Sequence, residues 1–174
     1  TIYTVTATSA SGCTNTAQIT ITVVPNPTLT ATANPTAICL GAASTLSASG
    51  STTYSWSTGA TTQSTSVTPL LAGTSVFTVT GSTAGCTGSI TVSVLVNPNP
   101  TITAVASPTA ICPGASAVLT ASGASTYSWN TGATTGSISV SPTVTTSYTV
   151  TGTSVSGCTA VATVSLLVNP TPTI

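Results

Sequence analysis

The chain has 174 residues and contains no Lys, Arg, Asp, Glu or His, so its formal charge is zero; an ordinary soluble domain is about a quarter charged. The absence excludes carboxylate or imidazole acid–base catalysis and an activated serine nucleophile. It also excludes carboxylate calcium sites, histidine zinc sites and the cationic footprint that nucleic acid or an anionic membrane requires.

Residues 1–24 read as two strands, Ile2–Thr8 and Ala17–Val23, joined through Ser11-Gly12-Cys13. Ile19, Ile21 and Val23 share one face of the second strand, the period-two pattern of a half-buried strand. Two strands alone are marginal in water, so this segment is expected to be completed by upstream chain or by strands of another molecule. Val24-Pro25-Asn26-Pro27-Thr28 then forms a linker, which returns as Asn97-Pro98-Asn99-Pro100-Thr101 and Asn169-Pro170-Thr171-Pro172-Thr173. Alternating prolines fix φ and hold the preceding residues extended, which makes a short, semi-rigid spacer.

Beyond the linker, short runs predict strands at 29–33, 38–39, 44–49, 53–57, 63–68, 75–80 and 89–96. Asn34-Pro35, Gly50-Ser51, Thr58-Gly59-Ala60 and Pro69 mark the turns. Leu46 and Ala48, Tyr54 and Trp56, Phe77 and Val79, and Ile90, Val92, Val94 and Val96 each fall on one face. The alternation returns with Leu119, Tyr127 and Trp129, Ile138 and Val140, Tyr148 and Val150, and Val164, Leu166 and Val168. Strands at this spacing with no helical periodicity imply an all-β antiparallel sandwich. Thr and Ser make up roughly two-fifths of the chain, but the 40% apolar share and its alternation argue against a disordered polymer. No apolar run approaches the ~20 residues of a membrane-spanning helix. No basic segment followed by an apolar stretch opens the chain, so an export signal is expected upstream of residue 1 or already removed.

The two sets of strands are copies. Cys39 and Trp56 recur 73 positions later as Cys112 and Trp129, Cys86 recurs as Cys158, and Tyr3–Cys13 matches Tyr148–Cys158. A fixed period of this length is the mark of a repeat array. The reading is a slice of a tandem array: 1–24 as the last two strands of one repeat, 25–97 and 98–170 as complete repeats of about 73 residues, and 171–174 as the start of another. Trp56 and Trp129, with Tyr54 and Tyr127 beside them, are the expected core of each repeat. Five cysteines at repeating positions point to an oxidising compartment. The repeat suggests one bridge in each copy, Cys39–Cys86 and Cys112–Cys158, with Cys13 pairing outside this segment. Free buried thiols and links between chains are the other readings.

Tyr54-Ser55-Trp56-Ser57-Thr58-Gly59, Tyr127-Ser128-Trp129-Asn130-Thr131-Gly132, Tyr148-Thr149-Val150-Thr151-Gly152, the Pro-Thr-Ala-Ile-Cys segments and the Val-Asn-Pro linkers resemble the PKD-like and immunoglobulin-like repeats of giant surface adhesins of Bacteroidota. The resemblance covers essentially the whole chain. It implies a β-sandwich module exported through the type IX system and displayed outside the cell for gliding, adhesion or filament formation. In PKD-type domains the Trp segment is usually followed by an acidic Gly-Asp-Gly turn. Here Ser57-Thr58-Gly59 and Asn130-Thr131-Gly132 carry no carboxylate, so ion-linked stiffening is not carried over.

Three functions remain. The leading one is a non-catalytic structural module of an extracellular filament or adhesin stalk, without cofactor or metal. Its partners are neighbouring repeats or identical chains, with no nucleic acid and no direct insertion into a membrane. The second is a glycan-binding module using Tyr3, Tyr54, Phe77, Tyr127 and Tyr148. The third is an ice- or crystal-binding face built from rows such as Thr20 with Thr22 and Thr101 with Thr103.

Overall fold

The computed structural model describes residues 1–172; Thr173 and Ile174, part of the expected fourth segment, lie outside the described residues. Every described element is a strand. The chain divides into two compact units. One comprises Thr1–Ala33, Thr45–Ser66 and Val76–Val92; the other comprises Asn34–Ser44, Val67–Ser75 and the described residues from Ser93 to Pro172.

A hairpin opens the chain: β1 (Ile2–Thr8) pairs antiparallel with β2 (Thr14–Thr20), from Ile2 opposite Thr20 to Thr8 opposite Thr14. The second strand begins and ends three residues earlier than its apolar pattern indicates. The Ser9–Cys13 turn is self-contained, with Gly12 N–H donating to Ser9 O and Ser9 N–H to Cys13 O. Pairing therefore starts directly after Cys13. All fourteen residues of the two strands are exposed.

Seven strands follow: β3 (Thr30–Asn34), β4 (Ala37–Cys39), β5 (Ser44–Ser49), β6 (Thr53–Trp56), β7 (Ser64–Val67), β8 (Gly73–Thr83) and β9 (Cys86–Asn97). Seven more repeat the order: β10 (Thr103–Ser107), β11 (Ala110–Ile111), β12 (Ala117–Ser122), β13 (Thr126–Trp129), β14 (Ser137–Val140), β15 (Thr146–Thr153) and β16 (Thr159–Val168). Each set makes a three-stranded and a four-stranded sheet, ordered β3-β5-β7 and β4-β9-β8-β6 in the first set, and β10-β12-β14 and β11-β16-β15-β13 in the second. This is the strand order of an immunoglobulin-type sandwich.

The sheets are not wholly antiparallel. β4 pairs parallel with the end of β9, Ala37 opposite Leu95 and Cys39 opposite Asn97, and β11 pairs parallel with the end of β16, Ile111 opposite Val168. The cause lies in the Pro that follows β3 and β10. Pro35 and Pro108 have no N–H to continue the ladder. The chain leaves the three-stranded sheet there, keeps its direction, and joins the edge of the other sheet alongside a strand running the same way.

In the second set the core is built from both sheets: Ala117, Leu119 and Ala121 of β12 meet Ile111, Trp129, Tyr148, Val150 and Leu166. Alternation selects them. Leu119 is fully buried while its neighbour Val118 faces out. The first set buries Leu46, Ala48, Trp56, Val79, Val94 and Val96 at the matching places.

The turn before each Trp strand depends on glycine. Gly123 has φ +97°, and a Cβ there would run into the carbonyl of Thr101 in the linker; Gly50 stands in the same relation to Thr28. Only a residue without a Cβ lets the linker pass this close.

Candidate functional site: the cystine and the turns around it

Cys39 is bonded to Cys158, 119 residues away, with Cα atoms 5.5 Å apart. This overturns the pairing within a repeat, Cys39–Cys86 and Cys112–Cys158. The reason is where each cysteine stands on its longest strand. Cys158 immediately precedes β16, and Cys112 immediately follows Ile111, which is aligned with Val168 at the opposite end of β16. The 10 residues of that strand separate them by about 30 Å, whereas a disulfide needs Cα atoms within about 7 Å. In the first set Cys86 is the first residue of β9 and Cys39 is aligned with Asn97, the last. The two cysteines of one repeat thus mark opposite ends of one strand.

The bridge joins two well-fixed turns. Cys39 begins a turn closed by Ala42 N–H to Cys39 O at 2.9 Å. Leu40 N–H donates to Asn97 O at 2.9 Å, and the Asn99 side-chain amide donates to Leu40 O at 3.2 Å. Cys158 ends a turn in which Ser154 N–H donates to Cys158 O at 2.8 Å, Gly157 N–H to Ser154 O at 3.0 Å, and Cys158 N–H to Ser154 Oγ at 3.2 Å. Cys158 is fully buried, with its sulfur 4.0 Å from Asn97 O. Cys13, Cys86 and Cys112 are free among the described residues.

The aromatic residues are bound to their own turns. Trp56 and Trp129 are each 3% exposed, and their Nε1–H groups donate at 2.9 Å to the carbonyls of Thr62 and Thr135. Tyr54 and Tyr127 are half-buried; their hydroxyls donate to Ser51 O at 2.9 Å and Ala124 O at 3.0 Å and accept from the N–H groups of those same residues. Tyr148 is buried and Phe77 half-buried, while Tyr3 is exposed.

Thr20, Thr22, Thr101 and Thr103 are all exposed. The Thr103 hydroxyl pairs with that of Ser122 at 2.7 Å, as Thr30 does with Ser49 at 2.6 Å, and Ser47 pairs with Ser64 at 3.0 Å. These cross-strand pairs spend part of the surface's hydrogen-bonding capacity on itself and tie neighbouring strands together.

No protein-family model and no curated protein matches the chain. Among solved structures it is similar to the Ca2+-stabilised adhesin described as helping an Antarctic bacterium reach out and bind ice, at 20% identity and a TM-score of 0.48. That match covers 98% of this chain and 56% of the adhesin chain, so the chain spans little more than half of that protein's length. It is also similar to the fibronectin(III)-like modules of Clostridium thermocellum CbhA, at 13% identity and a TM-score of 0.39 over 81% of this chain and 95% of that one. Murine CEACAM1b matches at 12% identity and a TM-score of 0.37, over 83% of this chain and 100% of its own.

Proposed function

We propose that the chain is a passive structural module of a long extracellular filament or adhesin stalk. The observation that carries this reading is the Cys39–Cys158 bond, which fastens one copy of the repeat to the next rather than closing each copy on itself. A bond so placed resists extension of an array, and its presence fits an oxidising exterior. Proline linkers and hydroxyl-rich faces fit the same role. The sequence lacks the carboxylate and imidazole groups that most often carry acid–base catalysis.

In this reading each module spans one repeat, 25–97 and 98–170, and its partners are neighbouring repeats or identical chains. The exposed β1–β2 face, with Tyr3, Val5 and Ile19 all more than half exposed, is the surface a further copy covers, since contiguous apolar surface of this kind marks an interaction site. Export by the type IX route is what the resemblance to Bacteroidota surface adhesins implies. Glycan binding has less support, because Tyr54 and Tyr127 are engaged with their own turns.

Electron microscopy of the native surface material tests the proposal. Unbranched fibres with a regular axial repeat are expected; isolated particles the size of a single chain would refute it.

A further inference from the structure

The structure contains one complete inter-repeat bridge, and the three free cysteines stand at positions equivalent to its two ends. Cys112 starts the same turn as Cys39: Ala115 N–H donates to Cys112 O at 3.0 Å, as Ala42 N–H does to Cys39 O at 2.9 Å, and Gly114 and Gly41 both have positive φ. The following linker is held by a different bond: Pro113 has no N–H to repeat the Leu40–Asn97 contact, and Asn169 N–H donates to Ile111 O at 2.9 Å. Cys86 occupies the place of Cys158: its sulfur is 3.4 Å from the carbonyl of Val24, the linker residue 73 positions before Asn97, which the Cys158 sulfur approaches. Cys13 closes the same turn as Cys158, with Cys13 N–H donating to Ser9 Oγ at 3.1 Å and Gly12 in the conformation of Gly157.

We propose that Cys112 and Cys86 are half-cystines of a continuous ladder in which the Ile-Cys cysteine of each repeat bonds the Gly-Cys cysteine of the next. Cys112 takes the Gly-Cys cysteine of a following copy of the repeat. Cys86, like Cys13, takes the Ile-Cys cysteine of a preceding copy. Every repeat is thereby bonded to both neighbours, and pulling force passes through covalent bonds as well as through the linkers.

The chemistry is thiol–disulfide exchange with a disulfide-bearing oxidant, either a small-molecule disulfide or a thiol oxidoreductase. One cysteine thiolate attacks the oxidant disulfide and expels a thiolate. The partner cysteine then attacks the mixed disulfide and expels the second. Two cysteine thiols lose two protons and two electrons, and the oxidant leaves as two thiols.

The ladder rests on the array reading, but its test is separate from imaging. The native assembly is denatured without reductant, alkylated, digested with pepsin and mapped. The proposal expects no alkylation at Cys86 or Cys112, a Cys112 peptide joined to a Gly-Cys peptide, and a Cys86 peptide joined to an Ile-Cys peptide from another repeat. Alkylated Cys86 or Cys112, a Cys86–Cys112 link, or a link between two Ile-Cys segments would overturn it, even where microscopy shows fibres. A non-reducing gel identifies the source of the partner. Mass unchanged by reductant places it in the same polypeptide, and mass that falls with reductant places it in another molecule; the ladder accommodates both.

Discussion

Trp129 donates its indole N–H to the Thr135 carbonyl at 2.9 Å, across the turn that leads from one sheet to the other, in which Gly132 N–H also donates to Trp129 O and Trp129 N–H to Ala133 O. One side chain therefore fills the core and closes the turn that follows it. Trp56 and Thr62 repeat the arrangement, and each turn carries a glycine with positive φ, Gly59 or Gly132. Replacing Trp129 by Ala removes the largest core side chain, at a cost of about 3–5 kcal/mol. Trp129→Phe keeps much of the volume but leaves the Thr135 carbonyl without its donor, and should cost about 2 kcal/mol. Urea unfolding of the two variants should show that order.

Two glycines with similar backbones should respond differently to substitution. Gly123 and Gly132 have φ of +97° and +88°. At Gly132 a Cβ meets nothing within 4 Å, so Gly132→Ala carries only the conformational cost, about 1 kcal/mol. At Gly123 the Cβ also collides with the Thr101 carbonyl, and Gly123→Ala should cost more than about 2 kcal/mol. Equal losses in chemical denaturation would contradict the close passage of the linker.

Stability should be flat with pH. Its slope is set by the difference in protons bound by the unfolded and folded states. Asp, Glu and His normally supply that difference below neutrality, and the chain has none. With both states binding the same protons, the slope is zero from about pH 4 to pH 7. Melting temperatures at pH 4, 5.5 and 7, at low and high NaCl, should coincide within a degree or two; a steady trend would reveal a charged modification.

Stretching the chain from its ends should expose the bridge directly. The bond shields from the force the chain between two cysteines at a sequence separation of 119, which amounts to roughly 400 Å of extended polypeptide. Single-molecule traces in reductant should be longer than oxidised ones by about that amount. The same final length in both conditions would exclude a bridge between distant turns.

The sandwich was legible because strand alternation is a local property. Ser44–Ser49 reads as a strand with Leu46 and Ala48 inward, and it is one, since each side chain's face follows from its neighbours. The parallel edge strands were harder to see: Ile38 and Ile111 sit in segments too short to have a period, and their partners lie at the far end of the repeat. The cystine was hidden for a different reason. The repeat fixes which cysteines are equivalent, but pairing within a copy and pairing between successive copies respect it equally. The choice depends on where Cys86 falls on β9 and where Cys39 of β4 is aligned against it, and that register is set by the crossover after Pro35 rather than by any pattern near the cysteines.

The partner of Cys39 is the most direct test of the account. The chain offers trypsin no Lys or Arg, so the oxidised protein is digested with pepsin at low pH, where thiolate-driven exchange is suppressed, and the linked peptides are sequenced by mass spectrometry. The account predicts a peptide containing Cys39 joined to one containing Cys158. Cys39 joined to Cys86, or Cys158 joined to Cys112, would contradict it, because each set of strands would then be closed on itself and no bond would join the two.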